Sequence, residues 1–226
     1  MPFIYSAFQV SNLTHLIKNT NLEDNLHNIL NKTAINKFDL ARLLSQLRKH
    51  HYGTYQHSLN VANLTYHLTK KMQLSKKEVI EISIGAILHD IGKVFIDQSI
   101  LNKPGRLTNE EWKLIKKHPE WGRELLSRYD WAESMLPFVL YHHERVDGLG
   151  YLGLCNENIP LGAKIICLAD SFDAMVSKRP YRKRLSIAQC LKEIKKNSGT
   201  QFAPDLASML IRILEKTYLQ SKTALK

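Results

Sequence analysis

The 226-residue chain has only three cysteines, Cys155, Cys167 and Cys190, and none stands in a CxxC pair. That argues against a disulfide framework and a thiolate zinc site, and it fits a reducing cytoplasm. Long apolar runs are lacking too. Stretches such as Ile84 to Leu88 and Ile165 to Ala169 fall far short of the roughly 18 residues a membrane span needs. The first basic residue is Lys18, so the apolar start from Met1 to Val10 has no charged lead of the kind a secretory signal carries. No alternation of apolar and polar residues between hairpin turns marks a sheet, and no internal repeat is present. A cytoplasmic protein with no membrane partner is expected.

Acidic residues are in deficit: 21 Asp and Glu stand against 32 Lys and Arg, a net charge of +11. Such an excess suits an anionic partner, whether a phosphate-bearing ligand, nucleic acid or an acidic protein surface. No motif or aromatic array supports nucleic acid among these. With 44% hydrophobic and 23% charged residues the chain reads as one main folded domain, not a disordered or coiled-coil segment.

Helical spacing dominates from Asn36 onward. Leu40, Leu43, Leu44 and Leu47 recur at i, i+3, i+4 and i+7, the stripe of a core-facing helix, which Gly53 is expected to break. His57, Val61, Leu64 and Leu68 share one face of the next segment, so His57 points inward. Ser75 with Glu78, Thr108 with Glu111 and Ser186 with Gln189 have the spacing of helix-starting caps. His118-Pro119 is expected to interrupt the second of these helices, because the residue before proline is pushed out of helical geometry. Leu136 to His143 and Ile165 to Met175 read as further helices, and Pro204 opens a last one reaching about Leu219. The fold class is all-α, a bundle of about seven to nine helices. Residues 1–51 read as a short N-terminal helical lead-in, Asn-rich and without a motif to about residue 36, and 52–226 as the main domain.

Several histidines sit on otherwise apolar faces. Imidazole and carboxylate without thiolate form the ligand set of non-haem iron, manganese or catalytic zinc, and a pair of metals needs ligands from more than one helix. His57, His89-Asp90, His118, His142-His143 and Asp170 make such a set on five segments. Neighbours on a helix point about 100° apart, so each adjacent pair can reach two metals from one backbone site.

These residues, with the run Ile87 to Lys93, Leu101 to Pro104, His118-Pro119-Glu120 with Gly122, Tyr141 to Arg145, Asp147-Gly148, Gly150-Tyr151, Ile159-Pro160, Ala169-Asp170, Phe172 to Met175 and Arg179 to Arg182, resemble the HD-GYP family of HD-domain metal phosphohydrolases. The resemblance covers about Tyr52 to Leu214. It implies an HD-domain helical bundle that hydrolyses cyclic di-GMP to linear pGpG through a hydroxide bridging two divalent metals, iron or manganese. It implies that His57, His89, Asp90, His118, His142, His143 and Asp170 hold the metals, with Asp90 as the bridge. Lys93, four residues after His89 and expected on the same helical face, corresponds to a lysine aimed at the scissile phosphate. Arg179 and Arg182 correspond to a phosphate-binding pair, Tyr151 to a ligand contact, and Asp173 to a residue that orients a neighbouring base or ligand at the substrate site.

Two departures stand out. The name-giving triplet reads Gly150-Tyr151-Leu152, so its proline is replaced; the loop loses a φ constraint and is expected to be more mobile or differently aimed. Gly53 stands where some members carry a glutamate that completes a third metal site, so a two-metal centre is expected. The altered loop leaves room for other readings of the same residues: a weakly active or inactive sensor of cyclic dinucleotides, a module docking a protein partner at Gly150 to Leu152, or a hydrolase of another cyclic dinucleotide. Regulation by separate proteins, by metal or redox state, or by oligomerisation through the N-terminal segment is a further expectation, with a homodimer among the partners considered.

Overall fold

Capping chemistry starts the helices where the sequence places them. In the computed structural model, which describes residues 35–177 and 184–223 with side chains to residue 216, Asn36 caps α1 (Lys37–His50) by accepting from the amides of Phe38 and Asp39. Reciprocal caps begin α3 (Lys76–Leu88) at Ser75 and Glu78, α5 (Asn109–Ile115) at Thr108 and Glu111, and α9 (Ile187–Lys196) at Ser186 and Gln189. Each satisfies two helix-end donors at once. α2 (Tyr52–Thr69), the single turn α4 (Gln98–Leu101), α6 (His118–Leu126), α7 (Leu136–Tyr141), α8 (Leu161–Val176) and α10 (Pro204–Thr223) complete the order. Among the described residues there are no strands, only three short 3-10 turns and two isolated bridges, so the all-α expectation holds, with nine helices longer than one turn. None of the described helices is long and apolar enough to cross a membrane. All three cysteines are free.

The break between α1 and α2 falls at His51, not at Gly53. His51 is extended (φ −150°, ψ 100°), its N–H closes α1 on the Leu47 carbonyl, and its ring Nδ1 accepts from the Thr54 amide at 3.0 Å. One residue therefore ends a helix and caps the next, while Gly53 lies inside the first turn of α2. Pro119 sits in the first turn of α6, where its missing N–H is no loss, and α5 has already ended at Ile115.

α3 is the pivot. It is buried from Ile82 through Leu88 without interruption, because it faces a core on each side. Ile82, Ala86 and Ile87 join Val61 and Leu68 of α2, Ile165 and Phe172 of α8, and Leu206 and Leu210 of α10. Ile84 and Leu88 join Leu40, Leu43 and Leu47 of α1, Ile91, Leu126 of α6 and Val139 of α7. Burying each such aliphatic side chain stabilises the fold by roughly 1.5–3 kcal/mol, which fixes the end of α3 at the seam between the two cores. His89 and Asp90 come directly after that end.

Candidate metal centre

Three histidines are presented by one repeated device. His89 caps α3 and its Nδ1–H donates to the Ala86 carbonyl at 2.7 Å; His118, past the end of α5, donates to Ile115 at 2.7 Å; His142 caps α7 and donates to Val139 at 2.7 Å. Each carbonyl lies three residues back, in the last turn of a helix, where it has no intrahelical donor. A carbonyl can only accept, so Nδ1 carries the proton and each Nε2 lone pair faces inward. This is the arrangement that orients histidines toward a metal.

Those lone pairs converge on Asp90, which is 1% exposed. The His118 Nε2 lies 3.1 Å from Asp90 Oδ1 and 3.1 Å from the His142 Nε2, and the His89 Nε2 lies 3.4 Å from Asp90 Oδ2. With Nδ1 protonated, the His118 contacts bring lone pair against lone pair and no proton bridges them. Asp90 Oδ1 and His89 Nε2 are accordingly buried without a hydrogen-bond partner. Orphaned acceptors at this density fit a cation among them.

The donors fall into two groups that share Asp90: one with His118, His142 and His143, the other with His57 and His89. In each, the donor atoms lie within 4.8 Å of one another. Asp170 joins the two groups, its Oδ1 2.9 Å from His57 Nε2 and its Oδ2 4.0 Å from His143 Nδ1. All seven residues expected as ligands are thus brought to one place by α2, the ends of α3, α5 and α7, and α8.

The electrostatics divide the histidines. Burial pushes His142 well below its ordinary pKa, helped by His143 and His89; burial and then His118 push His143 down to about 3; burial lowers His118 against the pull of Asp90. These three are neutral at pH 7, as metal binding requires. His57 goes the other way: burial opposes its charge, but hydrogen bonds to Asp170 and Asp173 outweigh burial and lift it to about 9. Burial would raise Asp90 and Asp170, yet Lys93 with His89, and His57, hold the two carboxyls below the usual range.

Lys93 reaches the centre by a different route from the expected one. α3 ends at Leu88 and residues Ile91–Phe95 form a 3-10 turn, so Lys93 does not share a helical face with His89. Its Nζ instead contacts Asp90 Oδ2 at 2.6 Å. Gly92 makes this turn possible, since a Cβ there would overlap the His118 carbonyl oxygen of α6. Asp173 is buried, with Oδ2 accepting from His57 Nδ1–H at 2.7 Å and Oδ1 from the Ser177 hydroxyl at 3.1 Å. Oδ2 thereby orients the His57 ring. The Tyr151 ring lies 4.5 Å from the His143 ring, and Lys116 Nζ stands 5.2 Å from its centroid. Arg179 and Arg182 lie outside the described residues. Sequence reasoning quoted Glu144 within a motif but gave it no role; the structure shows its carboxylate taking two loop amides.

Comparison with known proteins agrees with this geometry. The family model for the HD domain matches residues 13–206. A cyclic di-GMP phosphodiesterase of Thermotoga maritima is 37% identical over 180 residues, 78% of this chain and 49% of that protein. A 3'3'-cGAMP-specific phosphodiesterase of Vibrio cholerae is 33% identical over 162 residues, 71% of this chain and 35% of that protein. The chain therefore spans half or less of these relatives' length. Among solved structures, the HD domain of the Listeria monocytogenes phosphodiesterase PgpH, in complex with cyclic-di-AMP, superposes with a TM-score of 0.59 at 20% identity, covering 86% of this chain and 100% of that one. Fold and curated similarity coincide: the chain belongs to the HD-domain family.

Proposed function

We propose that this chain is a metal-dependent phosphodiesterase that hydrolyses cyclic di-GMP to linear pGpG. The observation that carries the proposal is Asp90, a buried carboxylate shared by two donor groups, with its Oδ1 and the neighbouring His89 Nε2 both lacking a hydrogen-bond partner. Two divalent cations would suit this set: His118, His142, His143 and Asp90 could hold one, and His57, His89 and Asp90 the other, with Asp170 within reach of both groups. A thiolate-free donor set favours iron or manganese. When bound, such cations supply Lewis acidity toward phosphoryl oxygens and lower the pKa of water toward neutrality.

The remaining residues act on the dinucleotide itself. Lys93, beside Asp90 at the rim, neutralises charge that builds on the non-bridging phosphate oxygens. Arg179 and Arg182, which lie outside the described residues, are assigned with Lys93 to the non-bridging phosphate oxygens, which guanidinium forks fit two at a time. Tyr151 offers a ring face beside His143 for a base or sugar. Asp173 keeps the His57 ring aimed by holding its Nδ1 proton.

The test is chromatographic product analysis after anaerobic loading with Fe(II) or Mn(II), beside Asp90→Ala. Wild type yields pGpG; the variant loses metal and activity together, and full activity in the variant would sink the assignment. The 33% identity to a protein named for 3'3'-cGAMP supports a second reading in which the base differs. Running 3'3'-cGAMP and cyclic di-AMP in the same assay separates the two, since the preferred substrate shows the higher kcat/KM.

A further inference from the structure

The Gly150-Tyr151-Leu152 loop is restrained in a way that its missing proline does not suggest. Glu144, next to His143 in sequence, is 2% exposed. Its Oε1 accepts the Leu152 N–H at 2.6 Å and its Oε2 accepts the Leu154 N–H at 2.7 Å, so the two oxygens grip the chain on the far side of Tyr151. Gly150 lies against the same residue: a Cβ there would stand 2.5 Å from Glu144 Cα. The near side of the loop is held separately. Arg145 donates twice to Asp147, at 3.0 and 2.6 Å, and Asp147 Oδ1 accepts the Leu149 amide at 3.1 Å. Apolar burial contributes little, because Leu149 is 74% and Leu152 47% exposed.

Proline has no N–H, so the first of the two Glu144 contacts cannot exist in a Gly-Tyr-Pro loop. We propose that Glu144 and the Leu152 amide form a clamp that positions Tyr151 beside His143, replacing the φ restraint of proline with a charge-assisted hydrogen bond. Glu144 is then a positioning residue that acts on substrate through Tyr151, an inference that rests on the phosphodiesterase reading for its kinetic consequence but not for the clamp itself. Short bonds from a buried carboxylate to two amides suit that task, since the anion has no water to turn to. It follows that restoring the family proline is harmful here. Leu152→Pro deletes one of the two donors and leaves a buried carboxylate oxygen without its partner.

The experiment combines amide hydrogen exchange, followed by NMR on the whole chain, with cyclic di-GMP kinetics of the metal-loaded protein. In Glu144→Gln one of the two amides, that of residue 152 or 154, loses its acceptor, and exchange there rises about tenfold or more while the rest of the fold keeps its protection. KM rises about tenfold and kcat stays within about twofold, the mark of lost ligand positioning with the metal ligands intact. Leu152→Pro moves KM in the same direction. In a Tyr151→Ala background Glu144→Gln has no further effect on KM, because the group it positions is gone. The proposal is overturned if Leu152→Pro matches or improves on wild-type kcat/KM, if Glu144→Gln leaves exchange unchanged, or if its KM effect persists without Tyr151. Should wild type bind and cleave no cyclic di-GMP, the phosphodiesterase reading falls and the exchange result alone decides the clamp.

Discussion

The inner and outer halves of the metal centre are built by different means. His89, His118 and His142, with side chains almost wholly out of solvent, are each aimed by a backbone carbonyl at a helix end. His57 and Asp170, 13% and 18% exposed, hold each other at 2.9 Å, and His57 is aimed by the Asp173 side chain. A backbone carbonyl survives any substitution at its own position that keeps the helix, whereas a side-chain partner is lost with one codon. The inner half is therefore set by helix placement and the outer half by residue identity.

The largest expected effect tests the inner half. His142→Ala removes an inward lone pair that no neighbour replaces, and metal content measured by plasma emission falls together with all detectable hydrolysis. Asp173→Ala tests the outer half: His57 loses its anchor, and metal affinity or activity falls about 10- to 100-fold, with Asp173→Asn between that and wild type because it keeps an acceptor. Equal losses from Asp173→Asn and Asp173→Ala would mean that charge, not aim, is what Asp173 supplies. Gly92→Ala tests helix placement itself. The added methyl pushes the 3-10 turn off α6, with about 1–3 kcal/mol of stability lost in denaturant melts and His118 displaced from Asp90.

The smallest effect is on pH dependence and also separates the halves. In chelated protein, His118, His142 and His143 are neutral when folded and take up protons when unfolded below about pH 6.5. Their contribution is complete above that pH and declines as the pH falls through and below it. His57, raised to about 9, contributes fully below pH 6.5 and its share is lost between pH 6.5 and 9. Thermal midpoints should therefore peak near neutrality and fall on both sides. In His57→Gln the alkaline decline shrinks while the acid decline stays, and an unchanged alkaline limb would break the distinction.

Much of this was legible in the sequence. Helix starts at Ser75, Thr108 and Ser186 carry their own chemistry, and the seven residues expected to hold metals stand out by type and order, and the structure brings them together. What was not legible depends on where helices stop. Extending α3 by periodicity puts Lys93 in line with His89, but the close approach allowed by Gly92 winds the chain into a 3-10 turn instead. A ring nitrogen capping α2 moves the α1 boundary to His51, which glycine-based punctuation misses. The tasks of Asp173 and Glu144 come from partners 116 residues and 8 to 10 residues away, and no local spacing encodes either.

The helix ends behind His89, His118 and His142 carry a consequence for the order of events. Three helix-end carbonyls each hold the Nδ1–H of a histidine whose other nitrogen faces the pocket that also holds Asp90 and Asp170. The pocket thus offers preset nitrogen and carboxylate donors to a cation, while His57 and Lys93 partly balance the charge of Asp170 and Asp90. Metals bound there would add positive charge beside Lys93, so metal loading is expected to precede capture of an anionic dinucleotide, and protein stripped with chelator should bind cyclic di-GMP more weakly than the loaded protein.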